Sequence, residues 1–133
     1  MINSRKIEDL HPKVQELAKA WLTACAKVGL EVEITSTYRD AAYQDTLFAQ
    51  GRTKPGKIVT FARGGQSMHN YHLAFDFVVK HNGKVDWGDE KSFLKARAIG
   101  EKLGLAGLSF ELAHLQWTGG LSLRQLQSGK VPS

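Results

Sequence analysis

Residues 67–83 read Ser-Met-His-Asn-Tyr-His-Leu-Ala-Phe-Asp-Phe-Val-Val-Lys-His-Asn-Gly. The section 72–80 is strongly apolar and rich in residues that favour strands, and the following His-Asn-Gly is typical of a hairpin turn. We therefore predict a strand over 72–80 and a return strand over 84–87. Asp76 falls inside the first strand, where burying an unpaired carboxylate would be very costly. A metal ion or a buried Asp–His pair would compensate for that cost.

The pattern on either side of this hairpin predicts helices and further strand. Before it, apolar residues recur at helical spacing from Pro12 to Gly29, residues 31–36 alternate as a half-buried strand does, and Asp40 can cap a helix that ends near Gln50. A long loop of functional character follows over 51–66. After the hairpin we predict a helix over 89–104, a region over 108–117 that is more strand than helix, and a short helix over 122–127. These elements predict an α+β fold with a small antiparallel sheet flanked by helices.

Composition limits the class of protein. A chain of 133 residues suits a single domain spanning 1–133. Its formal charge of +5 favours polyanionic surroundings such as a cell wall, an acidic membrane surface or nucleic acid, but the chain shows no recognised nucleic-acid motif.

No basic-then-apolar leader opens the sequence, and no apolar run approaches the roughly 18 residues that span a bilayer. We therefore expect synthesis in the cytoplasm without a signal peptide.

The stretch Glu111-Leu-Ala-His114 adds a second histidine and a carboxylate to His69 and Asp76. Zinc that performs chemistry usually keeps three protein ligands and leaves one position to water, and a carboxylate that does not bind the metal can take a proton from that water. Two histidines, one aspartate and a spare glutamate match this inventory. The three-residue offset brings Glu111 and His114 to one face only if the backbone there is irregular. Taken alone, Glu111 also fits a solvated surface residue.

Arg39 follows the predicted strand 31–36 after a short junction. Near a metal, its guanidinium would stabilise the oxyanion that develops when water attacks a carbonyl. The alternative is a surface arginine that pairs with Asp40 or Asp45. The residues alone leave both readings open.

The combined pattern is that of a known family. Ser67-x-His69, Ala74-x-Asp76, the preceding Ser-Thr-Tyr-Arg39 and the following Glu111-x-x-His114 resemble the zinc D-Ala-D-Ala peptidases, which share a hedgehog-like fold. Within that family the chain more closely resembles the L-alanyl-D-glutamate endopeptidases that phages use as endolysins. The resemblance covers nearly the whole chain, because the stretches 10–12, 44–53, 55–57, 67–71 and 114–117 also look like that group.

The resemblance implies a role for each candidate residue. His69, Asp76 and His114 would bind Zn²⁺, Glu111 would be the general base, and Arg39 would polarise the scissile carbonyl.

The same resemblance implies supporting residues and a substrate. Ser67 and Gln44 would orient ligands or substrate through hydrogen bonds. The implied function is hydrolysis of the L-Ala–D-Glu bond in the peptidoglycan stem peptide. The enzyme would be a monomer without stable membrane insertion, released from the host cytoplasm to lyse the wall from the periplasm.

Two departures from the family pattern leave alternatives open. His72 stands where relatives commonly have glycine, so either the backbone avoids glycine-only conformations or this imidazole enters the site and competes with His69. The stretch 104–110 is shorter and more apolar than in related endolysins, which leaves the bond cleaved open. The alternatives are a D-alanyl-D-alanine carboxypeptidase or dipeptidase on the same metal centre, or a non-catalytic zinc-binding module.

Overall fold

The computed structural model of this protein describes the whole chain, Met1–Ser133. Single 3-10 turns form at Ile7–Asp9 and Met68–Tyr71. The helices are α1 (Pro12–Lys27), α2 (Ala41–Ala49), α3 (Glu90–Lys102) and α4 (Leu123–Gln127). The strands are β1 (Glu31–Ser36), β2 (Ala74–His81), β3 (Lys84–Val85), β4 (Ala106–Leu108) and β5 (Glu111–Gln116). None of the helices combines the length and apolar character that crossing a bilayer requires.

The strands form one antiparallel sheet in the order β1-β2-β5-β4, with β3 paired to the end of β2. The predicted α+β class with a small antiparallel sheet and flanking helices is confirmed. Strand β4 had not been predicted, because its three residues Ala-Gly-Leu carry no strand pattern of their own and extend the sheet only by pairing with β5. The central position of β2 places Asp76 in the middle of the sheet.

The core lies between α1 and one face of β2. Trp21 of α1 is fully buried, and its ring centroid lies 5.3 Å from that of Phe75 and 4.9 Å from that of Phe77. The indole Nε1 donates to the carbonyl of Ala96 at 2.8 Å, which satisfies its only polar atom. Because successive side chains of a strand point to opposite faces, Phe75 and Phe77 face the core and Asp76 faces away from it.

The start of β2 corrects the sequence prediction. The strand begins at Ala74 instead of residue 72, because His72 adopts a left-handed conformation (φ 64°, ψ 25°) that ends the preceding 3-10 turn. Neither expected consequence of this histidine is observed. The backbone keeps the conformation that favours glycine, and the imidazole stacks on Tyr38 with 3.9 Å between ring centroids. Its Nδ1 lies 2.6 Å from the carbonyl oxygen of Asp9.

The predicted hairpin turn is confirmed by its backbone angles. Asn82 and Gly83 have φ values of 53° and 80°, which are those of the tight turn that suits the twist of a two-stranded hairpin. The return strand is shorter than predicted, since β3 ends at Val85 and residues 86–89 turn toward α3.

Candidate metal centre

Three side chains from distant parts of the sequence meet on the face of the sheet that points away from the core. Asp76 of β2 and His114 of β5 are direct partners in the strand register, and His69 comes from the 3-10 turn that precedes β2. One ligand atom of each lies within 4.8 Å of the others. The carboxylate Oδ1 of Asp76 is 3.1 Å from Nε2 of His69 and 3.2 Å from Nδ1 of His114. We call these three residues the His-Asp-His cluster.

The orientation of His69 is set by two neighbours. Ser67 precedes the 3-10 turn, and its hydroxyl accepts a hydrogen bond from the backbone N–H of His69 at 3.2 Å. On the buried imidazole, Nδ1 lies 2.7 Å from the carbonyl oxygen of Thr37. Because a carbonyl only accepts, Nδ1 must carry the proton, and the neutral ring then presents the lone pair of Nε2 to Asp76.

His114 is oriented in the same way by a residue that the sequence analysis missed. Its Nε2 lies 2.8 Å from Oε1 of Gln116, so this nitrogen donates and the neutral ring turns the lone pair of Nδ1 toward Asp76. The signal in the sequence was the spacing of two, which puts His114 and Gln116 on the same face of a strand. The carbonyl of Thr37 left no signal, because a backbone group is common to all residues.

The cluster fits a divalent cation. Two imidazole lone pairs and a carboxylate oxygen face one another, and three acceptors at such distances require a cation between them. Histidine nitrogens with a carboxylate oxygen are a donor set that suits zinc, and both rings have the outer hydrogen bonds that metal-binding histidines usually have.

The pKa shifts within the cluster also show that its residues favour a positive charge between them. Burial raises the pKa of Asp76, but the charges and hydrogen bonds of His69 and His114 outweigh it and hold this pKa well below the usual range. Burial lowers the pKa of His114, but the hydrogen bond that its protonated ring can donate to Asp76 and the charges of the nearby carboxylates raise this pKa overall. Either a proton or a metal ion can supply the missing charge.

Arg39 lies in the site. Its Nη2 is 2.5 Å from Oδ2 of Asp76, and its Nε donates to the hydroxyl of Ser36 at 3.1 Å. The side chain is only 14% exposed. Surface pairing with Asp40 or Asp45 is not found, because Asp40 accepts from the backbone of Tyr43 and caps α2, and Asp45 accepts from the backbone of Gly64.

Glu111 stands beside the cluster, with Oε2 3.3 Å from Nδ1 of His114 and about a third of its side chain exposed. The irregularity that the sequence required is present. Gly107 pairs with Leu115 but the adjacent Leu108 pairs with Glu111, so the register shifts between them. This bulge brings Glu111 and His114 to the same side of the strand, as bulges beside functional sites commonly do.

Gln44 does not reach the site directly. It is fully buried in α2, and its Nε2 donates to Oγ1 of Thr60 at 3.4 Å and to the carbonyl of Ala62 at 2.9 Å. Its Oε1 is buried without a partner. Gln44 therefore holds the loop segment 60–62, which forms one wall of the groove over the cluster.

The groove consists of two cavities that meet at Arg39, Thr60, Glu111 and His114. The tryptophan-side cavity has a volume of about 450 Å³ and continues past Leu112 and Val59 to Trp87. The serine-side cavity has a volume of about 290 Å³ and continues past Ser67 and Gln116 to Phe61 and Phe110. The cluster thus lies between two spaces that can hold chain on both sides of a bond.

Known proteins resemble this chain in sequence and in fold. Over 83 residues it is 51% identical to the peptidoglycan L-alanyl-D-glutamate endopeptidase CwlK of Bacillus subtilis (strain 168). The match covers 62% of this chain and 50% of CwlK, so the chain spans about half the length of that relative.

Two solved structures share the fold. The LdcB LD-carboxypeptidase superposes with a TM-score of 0.65 at 20% identity, covering 92% of this chain and 65% of that one. The Serratia marcescens L-Ala D-Glu endopeptidase ChiX superposes with a TM-score of 0.63 at 14% identity, covering 91% and 86%. At these identities the likeness shows the fold, and it confirms the predicted peptidase-type architecture.

The family follows from a match that covers most of the chain. The family model described as VanY, D-alanyl-D-alanine carboxypeptidase, matches residues 7–119. This range contains the His-Asp-His cluster, Glu111 and Arg39. The chain therefore belongs to the VanY peptidase family, as its sequence motifs had indicated.

Proposed function

We propose that this protein is a zinc-dependent peptidoglycan endopeptidase that hydrolyses the L-Ala–D-Glu bond of the stem peptide. One observation carries the proposal: the His-Asp-His cluster and the carboxylate of Glu111 lie together where two cavities meet. The activity named for CwlK supports the choice of bond.

In this proposal Glu111 is the general base. Its carboxylate lines both cavities and is partly exposed, so it can accept a proton from an attacking water and pass it to the departing amine. A zinc ion, when bound, supplies Lewis-acid activation of the carbonyl and of water. The presence of Glu111 argues against a non-catalytic zinc-binding module.

Arg39 would stabilise the oxyanion that develops on the scissile carbonyl. The guanidinium uses Nε for Ser36 and Nη2 for Asp76, which leaves Nη1 to donate to an oxygen in the groove. Two of its three nitrogens are thus engaged before substrate binds, so the third is held in place. Such preorganised donors stabilise charge in the transition state at little cost of reorganisation.

The second candidate is a D-alanyl-D-alanine carboxypeptidase or dipeptidase, which the description of the family model favours. Such an enzyme must recognise a terminal carboxylate in a closed pocket. Here Arg39 is the only lysine or arginine that lines either cavity, and it is already paired with Asp76. The groove also continues on both sides of the cluster. These features favour cleavage within a chain.

We extend the proposal to the biological role. All site residues come from one sheet and its adjoining turns, so residues 1–133 would act as one catalytic domain and as a monomer. The net charge of +5 suits a wall polymer that bears carboxylates. In this role the protein would act on the peptidoglycan of the periplasm and lyse bacterial cells as a phage endolysin does.

Digestion of purified peptidoglycan tests the proposal. The protein is incubated with and without a chelator, and new amino termini are identified by mass spectrometry. We expect new D-glutamate termini, loss of activity with chelator and recovery with zinc. Release of D-alanine without new D-glutamate termini would instead establish the carboxypeptidase.

A further inference from the structure

We propose that Trp87 is a stacking platform for the sugar end of the substrate, so that the tryptophan-side cavity receives the glycan-linked L-alanine and the serine-side cavity receives D-glutamate. The inference rests on the proposed function and adds the direction in which the substrate lies.

The two cavities differ in the groups that lie next to the cluster, beyond the four residues that they share. The tryptophan side adds mainly apolar side chains, among them Leu47, Val59 and Leu112. The serine side also adds apolar side chains, among them Met68 and Phe110, but next to the cluster it adds the hydroxyl and amide groups of Ser67 and Gln116. The substrate differs in the same way across the scissile bond, because L-alanine bears a methyl group and D-glutamate bears a carboxylate. The hydroxyl and amide groups beside the cluster suit that carboxylate on the serine side, and the exposed indole of Trp87 at the other end of the groove gives the direction.

Trp87 lies at the apolar end of this groove and presents one ring face to solvent. Its side chain is 70% exposed, whereas Phe93 beneath it is 2% exposed. The two rings stack at 14° with 5.8 Å between centroids, so Phe93 supports one face of the indole and leaves the other open. Such a surface suits a sugar ring, whose C–H face packs on an aromatic ring while its hydroxyls remain in water. In peptidoglycan the sugar is attached on the L-alanine side.

The turn that carries Trp87 is held at both ends. The backbone N–H of Asp86 donates to Val79 at 3.0 Å, and that of Asp89 donates to Asp86 at 3.3 Å. Asp89 also accepts from the backbone of Ser92 at 3.2 Å and thereby caps α3. The indole is therefore positioned before any ligand binds, which reduces the entropy lost on binding.

The serine side offers a matched comparison. Phe61 and Phe110 are 70% and 63% exposed, but they meet edge to face at 79° with 6.1 Å between centroids. Neither forms a supported stack like that of Trp87 on Phe93. Phe61→Ala therefore removes an equally exposed aromatic ring from the opposite end of the groove and serves as the control for Trp87→Ala.

The test compares two substrates that share one scissile bond. One is the disaccharide-linked stem peptide and the other is the same peptide with an N-acetyl group in place of the sugar. We expect Trp87→Ala to raise KM for the disaccharide substrate by about fivefold to tenfold, with kcat and the KM of the sugar-free peptide unchanged. Trp87→Phe should recover part of the loss. An equal effect on both substrates, no effect on either, or a sugar-dependent effect of Phe61→Ala in place of Trp87→Ala would overturn the assignment.

A binding measurement separates this inference from the proposed activity. Glu111→Gln protein is titrated with the free disaccharide and with the sugar-free peptide while tryptophan emission is followed. The disaccharide should change the emission, and Trp87→Phe in the same background should abolish that change. If the parent protein binds the disaccharide through Trp87 but leaves the L-Ala–D-Glu bond intact, the proposed function fails and the platform stands. If the disaccharide leaves the emission unchanged, the platform is wrong whatever bond is cut.

Discussion

Asp76 and His114 stand opposite each other in the ladder between β2 and β5, with Oδ1 of the aspartate 3.2 Å from Nδ1 of the histidine. This pairing places the carboxylate and one imidazole of the cluster on the same face of the sheet. A slip of one residue in either strand would turn one of them into the core. The register of two strands is thus a condition for the site to exist.

Replacing Glu111 by Gln tests the general base. The amide keeps the shape of the side chain but cannot accept a proton, so kcat should fall by about 10²–10⁴-fold while zinc content and thermal stability stay at the parental level. The control is Glu101→Gln on α3, whose carboxylate is 52% exposed and away from the groove. Hydrolysis at the parental rate would exclude Glu111 as the base.

Replacing His114 by Ala tests the ligand set. The variant loses one of three donors, so bound zinc, measured by elemental analysis after dialysis, should fall together with activity. His72→Asn is the control, because asparagine tolerates a left-handed backbone and the His72 ring stacks on Tyr38 instead of entering the site. Equal zinc content in the His114 variant and the parent would remove this residue from the ligands.

Gln116 offers a finer test of the same centre. Its Oε1 holds the proton of the His114 imidazole on Nε2. Gln116→Leu removes that acceptor and should weaken zinc affinity by about 10–100-fold, as measured by competition with a chromogenic chelator. Gln127→Leu, a change in α4, should leave the affinity unchanged. A Gln116→Leu protein with parental affinity would show that the hydrogen bond does not orient the ligand.

Gln44 is expected to support the groove wall from within. Gln44→Ala removes both hydrogen bonds to the segment 60–62 and leaves buried partners unsatisfied, which should lower the free energy of unfolding by about 1–3 kcal/mol. Urea denaturation measures the loss. Because Thr60 lines both cavities, KM should rise as well. Loss of stability with an unchanged KM would show that Gln44 contributes only to stability and not to substrate binding.

The His81–Asp89 pair predicts a dependence of stability on pH. The hydrogen bond that His81 donates to Asp89 raises the pKa of His81 above 6.5, so the stability that this pair contributes is full below pH 6.5 and is lost as pH rises through the raised value. Hydrogen bonds from Ser92 and His81 lower the pKa of Asp89 from 3.8 to about 2, so its contribution is lost as pH falls from 3.8 toward 2.

Asp89→Asn, which can still cap α3, should return the His81 pKa toward 6.5 and flatten stability above that pH. Titration of the His81 imidazole by NMR and urea denaturation on both sides of 6.5 measure the two effects. A His81 pKa that stays raised in this variant would show that another group holds the proton.

Local patterns accounted for most of the elements. The apolar spacing after Pro12, the cap at Asp40 and the Asn-Gly turn each depend on residues close in sequence, and α1, α2 and the β2–β3 hairpin form where they predict. Strand β4 and the start of β2 were missed. The first exists only through pairing with β5, and the second depends on a left-handed His72 that stacking on Tyr38 accommodates.

The residues of the candidate site could also be predicted only in part. Residue types and spacing made His69, Asp76, His114, Glu111 and Arg39 candidates but left structural readings open, and the resemblance to the peptidase family implied their roles. Gln44 was placed at the site, but the structure shows it supporting a loop wall, and Gln116 was overlooked. Both outcomes depend on which way a side chain points after the chain has folded.

The sequence by itself determined most of the helices and strands, the side of β2 on which Asp76 lies, the candidate ligand types and the resemblance to a peptidase family, since these follow from order and alternation along the chain. Only the tertiary structure decided that Asp76 faces His114, that Thr37 and Gln116 orient the two imidazoles, and that two cavities meet at Glu111. Apart from the pair of His114 and Gln116, these features join residues tens of positions apart, and their geometry arises from strand register and packing, which no local pattern encodes.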